Sequence, residues 1–186
     1  MRITDDRYTR DRLRLDLALR LIRHEARTCT IRSWTSLTDD RIRKLFKSYV
    51  EHCGAGTIRR HRGKSPRQPA YFLKNGELRR QSAGLASALC EFGLLEGGPP
   101  AAAGGLGQLH WGERFCQAYE TFLQRHAPTQ IGFEHACFLC RALQRQKELC
   151  IDDCEACGAL LVVSAFAPRP AGCEFCGDPR QTALAH

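Results

Sequence analysis

Two Cys-x-x-Cys pairs near the C-terminus constrain the fold of this chain more than any other feature. The pairs are separated by 15 residues, 158–172, and consist of Cys154 with Cys157 and Cys173 with Cys176. This spacing is typical of a site in which one tetrahedral Zn²⁺ binds four thiolates at about 2.3 Å. Gly158 and Gly177 directly follow the pairs, where a tight turn needs the conformational freedom of glycine.

The cysteines could instead form two surface disulfides, but the rest of the chain argues against an oxidising compartment, which disulfides require. The cysteine count is odd, at 11. No apolar segment follows the first basic residues, so no signal peptide is visible. No run of about eighteen apolar residues occurs, so no membrane span is predicted. We therefore expect a cytoplasmic protein of bacterial type with one structural metal ion.

Three further cysteines lie close to the two pairs. Cys137 and Cys140 also form a Cys-x-x-Cys pair, but they lie in the apolar segment 133–143. Their helical spacing there favours a place in the core over metal binding. Cys150 lies four residues before the first pair and stays open as a competing ligand.

The distribution of charge divides the chain. The net charge is +8, yet residues 1–80 hold 21 Lys and Arg against 9 Asp and Glu, whereas residues 81–186 hold 7 against 11. The first part therefore carries +12 and the second −4. A basic N-terminal part indicates contact with a polyanion, although a solvated basic surface would have the same composition.

The hydrophobic pattern predicts a mainly α fold with a small C-terminal module of the zinc-ribbon type. Helices are predicted at 10–28, 30–36, 38–50, 77–94, 109–126 and 129–148, and a short strand at Leu160–Val163 lies between the cysteine pairs. Residues 52–69 are predicted to form a loop. The predicted domains are a basic helical domain at 1–95, a Gly/Ala/Pro linker at 96–107, a helical pair at 108–149 and the zinc-binding module at 150–180.

Within the first domain, segment 28–50 fits a helix-turn-helix. Ile31 and Leu37 flank a turn at Thr35-Ser36, and Ile42 and Leu45 would face them from the second helix. Ser36 stands where glycine is common. The second helix of such a motif presents its N-terminal residues and outer face to the major groove of DNA, although helix pairs of this length also occur in domains that do not bind DNA.

The predicted DNA contacts come from this second helix and from the basic loop that follows it. Arg43 suits a bidentate contact to guanine, and Lys44 and Lys47 suit phosphates. Asp39 and Asp40 would repel phosphate in the same region. The loop 59–67 could follow a phosphate backbone or be a solvated connection. The complete set of predicted contacts is Thr38, Arg41, Arg43, Lys44, Lys47, Arg59, Arg60, Arg62 and Lys64.

The sequence offers no active site that we can defend. The chain contains no glycine-rich phosphate loop, no Ser/His/Asp arrangement and no carboxylate pair with a plausible partner. Cys150 as a nucleophile would need a general base, and none can be named beside it. We therefore predict that the protein is not an enzyme.

Taken together and in order, several segments resemble the FlhC family, whose members are subunits of the flagellar master transcriptional activator in proteobacteria. The resemblance runs from about residue 17 to residue 180. The segments that carry it are LALRLIRHEART (17–28), LTDDRIRKLFK (37–47), RGKSP (62–66) with Tyr71-Phe72, CQAYETFLQ (116–124), CEACG (154–158) and CEFCG (173–177).

The resemblance implies a function in transcription. FlhC-like proteins are mostly helical, bind one Zn²⁺ through four cysteines and assemble with FlhD into a heterohexamer that binds promoter DNA and recruits RNA polymerase. By position, the zinc ligands here would be Cys154, Cys157, Cys173 and Cys176. The Ala- and Gly-rich stretch 97–107 and the arginine-rich N-terminus depart from the family pattern, so regulation of non-flagellar genes stays open. The other alternative is a zinc-containing adaptor for protein interactions.

Overall fold

A computed structural model describes residues 2–53, 58, 66–98, 105–167 and 172–177, with the backbone alone described for residues 2–6, 52 and 53. Within these ranges the chain is mainly helical, which confirms the predicted fold class. The elements are α1 (Arg2–Arg23), α2 (Thr28–Thr35), α3 (Asp39–Cys53), a 3₁₀ helix (Pro69–Leu73), α4 (Gly76–Glu91), α5 (Leu106–His126), α6 (Phe133–Arg145), β1 (Leu149–Asp153) and β2 (Leu160–Ser164). Among the described residues, no helix combines the length and the apolar character needed to cross a bilayer.

The chain divides into two compact units, each built from two segments. Unit 1 comprises Met1–Ser65 and Pro99–Gln117, and unit 2 comprises Pro66–Gly98 and Ala118–His186. The first half of α5 thus belongs to unit 1 and its last two turns belong to unit 2. The domains expected from the sequence, 1–95, 108–149 and 150–180 with a linker at 96–107, stay a prediction.

In unit 1, helices α1, α2 and α3 pack against one another. Their apolar faces form a core of fully or nearly fully buried side chains: Leu17, Leu21, Ile22, Ile31, Trp34 and Ile42. The start of α5 completes this core through Trp111 and Phe115. Gly112 allows the close approach of α5, because a Cβ atom there would lie 2.8 Å from Cδ2 of Leu17.

Helix α1 is displaced from its predicted bounds of 10–28. It begins at Arg2 and ends at Arg23, because Glu25 adopts a left-handed conformation with φ of +57°. The N–H of Ala26 donates to the carbonyl of Leu21, and that of Glu25 donates to the carbonyl of Ile22. This pair of hydrogen bonds is a Schellman motif, which usually places glycine at the left-handed position.

A three-residue connection, 36–38, joins α2 to α3. Ser36 has φ of +57°, so this non-glycine residue takes the left-handed conformation for which glycine is the usual choice. Thr38 caps α3, since its hydroxyl accepts a hydrogen bond from the backbone N–H of Arg41 at 3.4 Å. The three-residue length of this connection is within the range of a helix-turn-helix, and the assignment of that motif stays a prediction.

Unit 2 is built around α4, which contacts the 3₁₀ helix, α6 and β2. Asn75 caps α4 by accepting a hydrogen bond from the N–H of Leu78 at 2.8 Å. The helix ends at Glu91, before the predicted 94, because Gly93 takes φ of +62°. The fully buried side chains of the unit include Phe72, Leu78, Leu85, Leu89, Phe122 and Leu149.

The C-terminal module contains a two-stranded antiparallel hairpin rather than the single strand expected from the sequence. In this hairpin Leu149 pairs with Ser164 and Asp153 with Leu160. Helix α6 covers only part of the predicted 129–148, since Gln146 adopts the left-handed conformation and leaves the following residues free to enter β1. The hairpin ends where the first cysteine pair begins.

Two predicted connections are only partly described. Residues 99–104 of the predicted linker 96–107 lie outside the described residues, and its last two residues form the start of α5. Most of the predicted loop 52–69 also lies outside them. Its end is a 3₁₀ helix beginning at Pro69, where the fixed φ of proline suits a first helical position.

Candidate metal centre

Each cysteine pair forms the same tight turn. The carbonyl of Cys154 accepts a hydrogen bond from the N–H of Gly158 at 2.7 Å, and the carbonyl of Cys173 accepts one from Gly177 at 2.9 Å. The two glycines have φ of +69° and +71°, which confirms the conformational role predicted for them. The two turns present their sulfur atoms to a common point.

The four sulfur atoms form a compact group whose members all lie within 4.8 Å of one another. Sγ of Cys154 lies 3.8 Å from Sγ of Cys176, and Sγ of Cys157 lies 3.8 Å from Sγ of Cys173. Four thiolates at about 2.3 Å from a tetrahedral ion would be separated by about 3.8 Å. The sulfurs are too far apart for the alternative of two disulfides, whose bond length is about 2.05 Å, and none of the four cysteines forms a disulfide. The group therefore has the size needed to hold a metal ion.

The hairpin and its small core position the first pair. Cys154 directly follows β1, and its N–H donates to the carbonyl of Ala159 at 2.9 Å. Cys154 and Cys173 are buried with Leu161 and Val163, which pack on one side of the sulfur group. The outer member of each pair, Cys157 or Cys176, is exposed. The site is thus attached to protein on one side and open to solvent on the other.

The thiols of Cys157 and Cys173, whose sulfurs lie 3.8 Å apart, differ in pKa. Hydrogen bonds from the backbone N–H groups of Cys176 and Phe175 lower the pKa of the Cys173 thiol to about 7. At Cys157 the N–H of Ala159 also favours the thiolate, but loss of solvation and the neighbouring sulfurs outweigh it and raise the pKa to about 12. A bound cation would remove this difference, because both coordinated thiols would be deprotonated.

The nearby cysteines do not join this group. Cys150 lies in β1 with its sulfur 3.9 Å from the carbonyl oxygen of Val163, and it packs against the small core beside the site. Cys137 and Cys140 are buried in α6, as predicted. Burial raises the pKa of the Cys140 thiol to about 12, so this side chain behaves as a neutral core residue.

The basic side chains predicted to contact DNA from α3 are all solvent-exposed: Arg41, Arg43, Lys44 and Lys47. Positions three and four residues apart share one face of a helix, so 43, 44 and 47 are neighbours on the surface. Thr38 has a structural role as the helix cap. The remaining predicted contacts, Arg59, Arg60, Arg62 and Lys64, lie outside the described residues.

The two aspartates at the start of α3 are paired with arginines. Arg32 of α2 donates to both carboxylate oxygens of Asp39 at 3.2 Å, and Arg43 lies 3.1 Å from Asp40. Lys47 lies 3.7 Å from Glu51. Within the described part of the chain, Arg41 and Lys44 form no ion pair. The exposed surface of α3 is therefore positive despite its acidic first turn.

One contact to the four-cysteine group was not expected from the sequence. Arg79 of α4 donates to Glu174, the residue after Cys173, with 2.9 Å between Nη1 and Oε1. The two residues are 95 positions apart, and no local pattern in the sequence links them.

Comparison with known proteins adds no relative, since no protein-family model and no curated protein matches the chain.

Proposed function

We propose that this protein is a DNA-binding transcriptional activator subunit of the FlhC type, with one structural Zn²⁺ and no catalytic activity. It would act in the cytoplasm, in a heterohexamer with an FlhD-like subunit, on double-stranded promoter DNA and with RNA polymerase. The observation that carries the proposal is the exposed basic surface of α3, which follows α2 after the tight turn at residues 36–38. The segments that resemble FlhC include this helix and both cysteine pairs.

Zinc is the metal that best suits the sulfur group. Thiolate ligands in a tetrahedral arrangement favour Zn²⁺ over hard cations, which prefer oxygen ligands. Cys154, Cys157, Cys173 and Cys176 would fill all four positions and leave none for a reacting water molecule, as in structural zinc sites. A bound ion would cross-link the two turns and would have no catalytic role.

The first prediction concerns metal content. Protein purified without chelators is expected to contain about one zinc ion per chain, measured by elemental analysis of the full-length chain. Substitution with Co²⁺ should give the visible spectrum of a tetrahedral four-thiolate site. Freshly prepared protein without metal, or a cobalt spectrum with fewer than four thiolates, would contradict the zinc assignment.

The pairing of the acidic residues supports DNA binding by α3. Asp39 and Asp40 would repel phosphate if they were free, but each is matched by an arginine. Arg41 and Lys44 are then available for phosphate. The buried core behind α3 keeps the helix fixed, which reduces the entropy lost when it binds.

The second prediction concerns the contribution of Lys44 to DNA affinity. The Lys44→Ala variant is expected to bind a fluorescent duplex of mixed sequence more weakly, and the slope of log affinity against log salt should fall by about 0.9. Titrations at several salt concentrations measure both quantities. The matched control is Lys147→Ala, which removes the same charge from an exposed position after α6. An unchanged slope in Lys44→Ala would remove α3 from the DNA-contacting surface.

The adaptor alternative is favoured by two exposed aromatic residues in the C-terminal module. Phe166 is 82% exposed and Phe175 is 47% exposed, and aromatic side chains are common in protein interfaces. An adaptor whose basic half is only solvated would show no salt-dependent DNA binding. The same titrations with the unmodified chain therefore separate the two functions.

A further inference from the structure

The second cysteine pair is connected to α4 through Arg79 and Glu174. Glu174 lies between the two cysteines of its pair, and its side chain is only 12% exposed. Arg79 is held in place by a second contact, since its Nε donates to the carbonyl of Leu73 at 3.0 Å. The arginine thus links the end of the 3₁₀ helix, α4 and the turn that carries two of the four sulfurs.

The net charge of the four-cysteine site with a metal ion bound suggests what the ion pair between Arg79 and Glu174 does. Four thiolates around one divalent cation carry two excess negative charges, and the Glu174 carboxylate beside Cys173 adds another. Removing solvent from such a carboxylate is costly unless a cation pairs with it. The Arg79 guanidinium is the positive group that contacts it.

We propose that Arg79 is a positioning residue of the metal centre. It holds the Cys173–Cys176 turn in the metal-binding geometry through Glu174, and it offsets the negative charge that accumulates there when the metal is bound. Partners outside the first coordination sphere commonly have this effect, and their loss typically weakens metal affinity by about 10- to 100-fold.

The neighbouring Arg80 shows why the contact differs from an ordinary surface ion pair. Arg80 pairs with Glu77 one turn earlier on the same helix, and both side chains are 47% exposed. Exposed pairs of this kind contribute little because solvent screens them. Arg79 instead reaches a largely buried carboxylate on a distant segment. Arg80 therefore provides a control with the same residue type and the same helix.

The test measures the rate of zinc transfer from the loaded full-length chain to a chromogenic chelator. We expect Arg79→Ala to release zinc about tenfold faster or more, whereas Arg80→Ala should match the unmodified protein. Arg79→Lys retains the positive charge and should restore most of the retention. Equal release rates for Arg79→Ala and Arg80→Ala would overturn the inference.

A double substitution separates charge compensation from mechanical attachment. If Arg79 offsets charge, Arg79→Ala with Glu174→Gln should release zinc more slowly than Arg79→Ala alone, because the uncompensated carboxylate is gone. Equal release by both would overturn the charge argument. Circular dichroism and the protease resistance of unit 2 before chelation check that each variant is folded, because both tryptophans lie in unit 1. Glu174→Gln alone gives a second way to break the pair if Arg79→Ala fails this check.

This inference depends on the proposed zinc site and not on the proposed DNA binding. The zinc content of the unmodified protein is measured in the same samples. Absence of zinc there would refute the metal assignment itself, whereas a loaded protein with an unaffected Arg79→Ala variant would refute only the role of Arg79.

Discussion

The Cys157→Ser variant is expected to lose its metal and to unfold the C-terminal module while the upstream helices remain folded. Cys157 is exposed, so the substitution removes little packing and acts through the metal. Structural zinc sites contribute on the order of 10 kcal/mol to the folding of small modules. The core beside the sulfurs is small, with Leu161 and Val163 as its buried aliphatic members, and it is unable to replace that contribution.

Limited proteolysis with mass spectrometry measures this effect. Cleavage should concentrate after β1 in the variant, at protease concentrations that leave the unmodified module intact. Both tryptophans of the chain, Trp34 and Trp111, lie in unit 1, so their fluorescence should show an unchanged unfolding transition. Unchanged resistance of the C-terminal region to protease would refute the metal-dependent fold.

Cys150→Ser is the matched control for the cysteine substitution. It removes a thiol from the same module, but that sulfur lies against the carbonyl of Val163 and outside the four-sulfur group. We expect full zinc content and nearly unchanged protease resistance. Loss of metal in Cys150→Ser would instead identify Cys150 as a ligand, the alternative that the sequence left open.

The Trp34→Ala variant is expected to lower the free energy of unfolding of unit 1 by about 3–5 kcal/mol, the typical cost of truncating a large buried aromatic residue. Trp34 is 5% exposed, and its ring centroid lies 5.1 Å from those of Trp111 and Phe115. A loss of this size is a large part of the stability of an ordinary domain. DNA binding should weaken as well, because Trp34 lies in α2, which supports α3.

Chemical denaturation followed by tryptophan fluorescence measures this loss, with Trp111 as the remaining tryptophan in the variant. Cys29→Ala is a suitable control, since it changes an exposed position of the same helix and should shift stability by less than about 0.5 kcal/mol. Zinc content should stay constant in both variants, because the sulfur group belongs to unit 2. A Trp34→Ala variant as stable as Cys29→Ala would contradict the core described for unit 1.

The helices were predictable because repeated leucines reveal a buried face, but several of their ends were not. Gly93 follows the end of α4, and glycine at such a position is a signal for a helix end that the sequence does contain. Glu25 and Gln146 end α1 and α6 in the same left-handed conformation without glycine. The N–H of Glu25 donates to the carbonyl of Ile22 and that of Gln146 to the carbonyl of Ala142, hydrogen bonds that the propensities of these residues do not predict.

The metal centre was more predictable than its surroundings. Spacing alone identified the four cysteines and the two glycines, because a tight turn and a tetrahedral ion impose strict local rules. The sequence did not predict strand β1, because the strand is defined by its pairing with β2, and no local pattern in the sequence shows that pairing. The Arg79 contact was also beyond reach, because it joins residues 95 positions apart. The contact of α3 with DNA stays a prediction.

The unequal exposure of the four sulfurs would set an order for the exchange of a metal ion bound there. An arriving ion meets Cys157 and Cys176 first, since these face the solvent, and reaches Cys154 and Cys173 only afterwards. A competing chelator would also meet the exposed thiolates of Cys157 and Cys176 before the buried ones. The exposed pair, Cys157 and Cys176, would therefore control how quickly a bound ion exchanges with the surroundings, because both an arriving ion and a chelator reach it first.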